Sequence, residues 1–347
     1  MVLFQTIPKE YWKLETDMKK YDVFGIGNAL VDCVILVTEK FLKENNIEKG
    51  LMTLVDDQKQ KTIIEKITNS DPFIQSGGSV TNSVYTLSQL GGSGYQSFLI
   101  SDDIYGKLFL EDLYKSGINI SDKSFYLGDG MTGSCLVLTT PDAERTMNTC
   151  LGVSSKYSVK NINFDDLALS KYLYIEGYLV TSELAIDAIK KSIAFSKEND
   201  VKISLTFSDL SMVKYFKEKF DEILTEKIDL LFCNREEALS YSGEDNFDKC
   251  CSNLLKLSET VVVTNGKEGS SIITKSKKIK IKPYPVQAID TVGAGDTFAG
   301  AFLYGINNGL DFEKSGNLAS KLSSKVVTKL GPRLDKDIIE SIKLSIE

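Results

Sequence analysis

The sequence predicts an α/β protein: a mainly parallel central sheet, helices on both of its faces, and a smaller β-rich unit. Three observations predict it. From residue 150 onward, strand-like runs (172–175, 203–207, 230–232, 261–264, 271–273) alternate with helical runs (183–198, 210–225, 235–243, 245–257, 297–308, 315–329). That is the pattern of strands joined by helical crossovers. Before residue 150, two Thr-, Val- and Leu-rich stretches, 33–56 and 124–148, break the alternation and read as β excursions out of the main sheet. Finally, candidate polar residues cluster just after strand-like runs, at the sheet end where ligands sit in such folds.

The composition narrows the class. The chain has 347 residues, which fits one large domain with a smaller appendage. Hydrophobic content of 42% and charged content of 26% are ordinary for a globular protein. A net charge of −7 argues against a nucleic-acid partner. The basic run KSKKIKIK (275–282) alternates lysine with Ile279 and Ile281 and reads as a half-buried strand with a solvated face. The cysteines at 33, 135, 150, 233, 250 and 251 show no C-x-x-C spacing, and the chain has no histidine. Zinc sites and Ser-His or Cys-His nucleophiles are thereby excluded, and free thiols in a reducing cytosol are expected. Residues 1–20 are charged and lack an apolar signal core, and no stretch approaches a membrane span. A cytoplasmic protein is expected, with an N-terminal extension (1–20) anchored by Trp12.

Taken in order, residues 21–30 (YDVFGIGNAL) begin a buried strand, and 31–37 stay extended, so G-x-G here is no dinucleotide fingerprint. Asn28 and Asp32 stand four apart at a strand end, placed either to bond the hydroxyls of a polyol or for turn chemistry. A short helix (39–45), GLMTLVD and a helix at 57–68 follow. In 75–94 (QSGGSVTNSVYTLSQLGGSG), Gly77 and Gly78 break the chain before an apolar helix face at Val84, Leu87 and Leu90. Asn82 offers a bidentate amide near the helix start, and the plainer reading is a capped helix with a glycine stop. A strand is expected at 98–100, a helix at 102–117, and a hairpin turn at 141–145. Arg145 there is either a bidentate phosphate clamp or a surface arginine. After the strand DLLFC, Asn234 and Glu237 have the spacing of a capping box, and equally of a carboxylate that holds hydrated Mg²⁺ beside phosphates.

The most informative stretch is DTVGAGDTFAGAF (290–302), after a β-like run at 279–289. Gly293, Ala294 and Gly295 leave backbone N–H groups open at a helix start, a place for an anion. Asp296 then stands beside that anion, where a carboxylate is awkward unless it takes a proton from a hydroxyl that attacks a phosphoryl group. The alternative is a first-turn acid favoured by the helix dipole.

DTVGAGDTFAGAF, SGGSVTNS, NREE and VVVTNGKEG occur here in the order they take in the ribokinase-like (PfkB) family of small-molecule kinases, and the chain resembles that family from about residue 21 to 333. FGIGNALVD and GSCLVLTTPDAERTMNT look most like its adenosine kinase branch. The resemblance implies a ribokinase-like three-layer α/β/α fold: a main domain from 21–32, 57–123 and 149–347, and a β-rich lid from 33–56 and 124–148. It implies Asp296 as catalytic base and the N–H groups of Gly293, Ala294, Gly295 and Asp296 as an anion hole. Arg145 would reach the phosphates. Asn28, Asp32, Gly77, Gly78 and Asn82 would hold sugar hydroxyls, and Tyr178 would stack on a base. Asn234 and Glu237 would organise Mg²⁺ through water; Thr264, Gly266, Gly269 and Asn317 would line the ATP side. Asp290, with carbonyls near Gly331 and Arg333, matches a monovalent-cation (K⁺) loop. Glu176 departs from the branch, placing a charge where a small apolar residue is expected near a purine.

Three functions follow from these residues: a nucleoside kinase, adenosine foremost; a sugar kinase acting on ribose, fructose or a keto-sugar acid; and a non-catalytic nucleotide or sugar sensor. The partner is a small molecule, with neither nucleic acid nor membrane. The assembly is a monomer, or a homodimer paired through an exposed strand edge of the lid.

Overall fold

The computed structural model describes residues 19–67, 72–126, 128–142 and 144–344; the extension expected at 1–20, with Trp12, lies outside them except for Lys19 and Lys20. In chain order the strands are β1 (Tyr21–Ile26), β2 (Leu30–Leu36), β3 (Met52–Leu54), β4 (Phe73–Gly77), β5 (Gly94–Ser97), β6 (Gly133–Thr139), β7 (Arg145–Cys150), β8 (Ser170–Glu176), β9 (Lys202–Thr206), β10 (Ile228–Asn234), β11 (Ser258–Thr264), β12 (Ser270–Thr274) and β13 (Lys278–Ile281). The described residues form an eight-stranded sheet ordered β13-β12-β11-β10-β9-β8-β1-β5 and a five-stranded sheet ordered β3-β7-β6-β2-β4. From β11 to β5 the large sheet is wholly parallel. Only β12 and β13 run antiparallel, at one edge.

Alternation along the strands builds the layers. Leu173 and Ile175 of β8, Leu231 of β10 and Val261 and Val263 of β11 face one core, with Ile189, Phe220, Ala238 and Leu254 of the helices Glu183–Glu198, Leu210–Ile223, Arg235–Ser242 and Phe247–Leu254. Tyr174, Phe232 and Val262 face the other, with Leu87, Phe109, Phe302, Leu322 and Ile339 of the helices Ser79–Gln89, Ile104–Lys115, Ala294–Asn307, Phe312–Val326 and Lys336–Leu344. This is the three-layer ribokinase-like arrangement. All six cysteines are buried and unbridged.

Three elements differ from the sequence expectation. The β-like run 279–289 is a strand only as far as Ile281, because Pro283 and Pro285 have no N–H to give a ladder. The strand expected at 98–100 is β5, four residues earlier, and Ile100 makes only an isolated bridge to Phe125. The small sheet also takes in β4, which pairs antiparallel with β2 from Leu30↔Gly77 to Val34↔Phe73. Helix Asp57–Glu65 joins it through Gln60, whose amide donates to the carbonyls of Ser134 and Asn148 and accepts from the Ser134 hydroxyl. Both lie in the part of the chain expected to belong to the main domain. Local pattern does not reveal which sheet a strand joins.

Candidate active site

The carboxyl ends of β1, β8, β9, β10 and β11 open into a cleft of 640 Å³, walled on the other side by the small sheet. The glycine-rich turn sits in it. Gly293 caps the helix Ala294–Asn307 at φ +75°, and a Cβ there would lie 2.4 Å from the carbonyl oxygen of Pro332. Only glycine suits that position. Behind it, the first turn of the helix presents N–H groups that the helix itself does not use. Ala294 and Gly295 line the cleft, and a Cβ at Gly295 would meet nothing within 4 Å.

Asp296 follows in the same turn. Its Oδ1 accepts from the Ser79 hydroxyl at 2.6 Å and its Oδ2 from the Asn82 amide at 3.0 Å. Two helix starts, Ser79–Gln89 and Ala294–Asn307, thus converge on one carboxylate. Gly300 makes this possible: a Cβ there would lie 2.1 Å from the Ser83 carbonyl oxygen. Burial raises the Asp296 carboxyl above its ordinary range, against the bonds from Ser79 and Asn82 and the charges of Arg145 and Arg333. A partly raised carboxylate held by two donors is positioned to accept a proton.

Asp32, 6% exposed, lines the cleft, and its carboxylate accepts no hydrogen bond from the described residues. Burial pushes its carboxyl up to about 7, although Arg333 and Arg145 oppose this. Gly77 stands against it: a Cβ would fall 2.2 Å from the carboxylate, so Gly77 makes room for Asp32 and does not itself line the cleft. Gly78 does, at φ +91°.

Glu176 does not stand as a bare charge against the cleft. It is 1% exposed, and its Oε1 accepts from both the backbone N–H and the side-chain amide of Asn28, while Oε2 accepts from the Val80 N–H. Burial pushes it to about 7 despite these bonds. It brackets the end of β1 to the start of the helix Ser79–Gln89, and orients Asn28 so that the amide oxygen is left for the cleft. The sequence reading missed this bracket because its partners are 96 and 148 residues away.

Asn234 and Glu237 form the capping box: the Asn234 oxygen accepts from the Glu237 N–H at 2.8 Å, and the Glu237 carboxylate accepts from the Asn234 N–H and amide at 2.9 and 2.7 Å. Both also line the cleft. Each Glu237 oxygen retains acceptor capacity, so the box and a water-mediated hold on Mg²⁺ are compatible. Burial raises this carboxyl to about 7; a nearby cation would oppose that.

Thr264, Gly266 and Gly269 line the far end, beside Pro283, Tyr284 and Val286. Asn317 does not reach it; on the same helix Ser320, Ser323 and Ser324 do. Asp290 is wholly buried outside the cleft lining, and its carboxylate accepts from the N–H groups of Val292 and Gly331 at 3.0 and 2.9 Å. It ties the glycine turn to the loop that carries Gly331. Tyr178 lines the cleft and donates to the Ser208 carbonyl at 3.4 Å. Ser208 is a non-glycine residue at φ +70°.

Arg145, the first residue of β7, is half-buried and reaches across from the small sheet. Its Nη1 donates to the Thr291 carbonyl at 2.8 Å, in the glycine turn. It is the cationic link between the two walls. Arg145→Ala is expected to lower kcat about 100-fold, with the acceptor KM changed less than about threefold. Steady-state kinetics in both substrates checks this, and a loss confined to acceptor KM would place Arg145 in acceptor binding instead.

A helix start with first-turn N–H groups that the helix itself does not use, a carboxylate held beside it, and a basic side chain spanning the cleft define a phosphotransferase with an alcohol acceptor. A model of the pfkB family carbohydrate kinases matches residues 52–338, and the chain belongs to that family. It is similar to adenosine kinase of Saccharomyces cerevisiae, 26% identical over 92% of this chain and 98% of that one. It is similar to a 5-dehydro-2-deoxygluconokinase of Clostridium perfringens, 26% identical over 77% of this chain and 82% of that one. Its fold matches the crystal structure of adenosine kinase from Sinorhizobium meliloti with a TM-score of 0.88 at 29% identity, covering 94% of this chain and 99% of that one.

Proposed function

We propose that this chain transfers the γ-phosphoryl group of ATP to the primary hydroxyl of a nucleoside, and that adenosine is the acceptor. The supporting observation is the apolar face that the small sheet turns to the cleft. Leu30, Met52, Val137, Met147 and Leu151 line it, with Asp32 beside Leu30 on the same face of β2 and Tyr178 lining the cleft after β8. A purine takes such a wall against one face and a phenol ring as a neighbour. The ribose hydroxyls then meet Asp32 and the free oxygen of Asn28. A keto-sugar acid asks for a cation beside its carboxylate, and on this wall Arg145 is the one basic side chain, already turned to the glycine loop. With Glu176 engaged by Asn28 and Val80, the one feature that spoke against a purine loses its force. A sugar acceptor is the second reading, supported by the equal identity to the deoxygluconokinase.

In the proposed step the acceptor oxygen bonds to the γ-phosphorus, the bond to the bridging oxygen breaks, ADP leaves, and the hydroxyl proton passes to Asp296. The N–H groups of the 293–296 turn and Arg145 stabilise charge on the transferring group. Mg²⁺, held through water by Glu237 and Asn234, would neutralise phosphate charge. The small sheet acts as a lid that keeps water from the phosphoryl group.

The test is ADP release with Mg-ATP and adenosine, inosine, guanosine, ribose, fructose or 2-keto-3-deoxygluconate, each with and without K⁺. Adenosine is expected to give the highest kcat/KM, by at least about tenfold. Preference for a free sugar would replace the nucleoside reading. ATP binding without turnover on any acceptor would support the sensor. Dependence on K⁺ would assign a cation role to the loop around Asp290.

A further inference from the structure

We propose that Arg333 is a positioning residue for phosphoryl transfer: it locks the amide of Asn82, and through it the carboxylate of Asp296, in the orientation that receives the acceptor proton. The proposal rests on the kinase reading above.

Asn82 is engaged at both ends. Its Nδ2 donates to Asp296 Oδ2 at 3.0 Å, and its Oδ1 accepts from Arg333 Nε at 2.9 Å. An amide has a donor end and an acceptor end, and turning it over exchanges them. A guanidinium only donates and an ionised carboxylate only accepts. Turned over, the amide would set N–H against N–H at Arg333 and C=O against carboxylate at Asp296. Arg333 therefore admits one orientation, the one that presents a donor to Asp296.

Arg333 is itself held by two further contacts, one of them to a tyrosine that is anchored in turn. Its Nη1 pairs with Asp112 of the helix Ile104–Lys115, its guanidinium lies 4.7 Å over the ring of Tyr85, and the Tyr85 hydroxyl donates to the Leu334 carbonyl. The result is a line of contacts, Asp112 to Arg333 to Asn82 to Asp296, from a half-exposed carboxylate to the reacting end of the cleft. Stability alone does not account for it. Arg333 is 7% exposed, and its Nη2 is buried without a partner among the described residues. Burying a charge with a donor unsatisfied is costly, and an apolar residue of similar volume would serve packing better.

A residue that acts through Asn82 has nothing left to act through once Asn82 is gone, so a double-mutant cycle reads the role directly. The variants are Arg333→Lys, Asp112→Asn, Asn82→Ala, and each of the first two combined with Asn82→Ala. Each is assayed for kcat and both KM values with Mg-ATP and the best acceptor, and its melting temperature is measured. Arg333→Lys is expected to lower kcat about tenfold and Asp112→Asn about threefold, with both KM values within about twofold of wild type. In the Asn82→Ala background neither should lower kcat further. Asp112 is partly exposed, so Asp112→Asn keeps the cycle readable if Arg333→Lys fails to fold. Losses that multiply in the double variants, or a rise in KM with kcat kept, would overturn the role of Arg333 and leave the kinase reading standing. A wild-type protein with no turnover on any acceptor would overturn both.

Discussion

Asp296→Asn is expected to lower turnover about 1000-fold, within the range that a positioned general base contributes, while the protein folds and binds ATP as wild type does. The folded state can accommodate the amide. Its oxygen accepts from the Asn82 amide, which Arg333 prevents from turning over, and its NH₂ donates to the Ser79 oxygen, which accepts as readily as it donates. No hydrogen bond need be lost, so stability should change by less than about 1 kcal/mol. What is lost is the site that receives the proton. Turnover measured beside a thermal melt and an ATP titration checks this. Activity within about tenfold of wild type would remove the base assignment.

The second large effect separates the backbone of the glycine turn from the space in front of it. Gly293→Ala puts a side chain at φ +75° and a methyl 2.4 Å from the Pro332 carbonyl oxygen. Strain of about 1–3 kcal/mol from the dihedral and about 1–3 kcal/mol from overpacking are both expected, with loss of activity as the turn shifts. Gly295→Ala is the converse. Its Cβ meets no protein atom within 4 Å, and its φ is not in the left-handed region. Alanine in the first helical turn should leave stability unchanged or raise it by up to about 1 kcal/mol. The methyl instead occupies the approach to the open N–H groups, and kcat should fall about 100-fold. Melting temperatures and kcat of the two variants check the pair. Equal destabilisation by both, or full activity of Gly295→Ala, would contradict an anion site at this helix start.

Much of the fold was legible because strand and helix periods alternate cleanly after residue 150, and the parallel sheet follows from that alternation. Residues that the sequence groups by local spacing come together in one cleft: Gly293 to Asp296, Asn234 with Glu237, and Gly78 before Asn82 all line it. What stayed hidden is set by distant pairing. Glu176 looked like a misplaced charge because Asn28 and Val80 reach it only in the folded chain. β4 pairs with β2 in the small sheet, a partner that nothing in FIQSG names. Asn317 does not line the cleft while Ser320, Ser323 and Ser324 of the same helix do, a rotation that sequence order alone does not fix. Arg333 had one overlooked signal. The chain has three arginines among 41 basic residues, at 145, 235 and 333. In a chain that otherwise uses lysine, a guanidinium marks a place that needs a planar fork. Two of the three stand at this site.

The most direct measurement is the fate of the γ-phosphoryl group. Wild type and Asp296→Asn are incubated with adenosine, Mg²⁺ and ATP labelled at the γ-phosphorus, and the products are separated. The predicted result is label in AMP, in amounts equal to the ADP formed, from wild type and almost none from the variant. Label in inorganic phosphate alone, or equal transfer by the two proteins, would contradict an acceptor-hydroxyl phosphotransferase that works through Asp296.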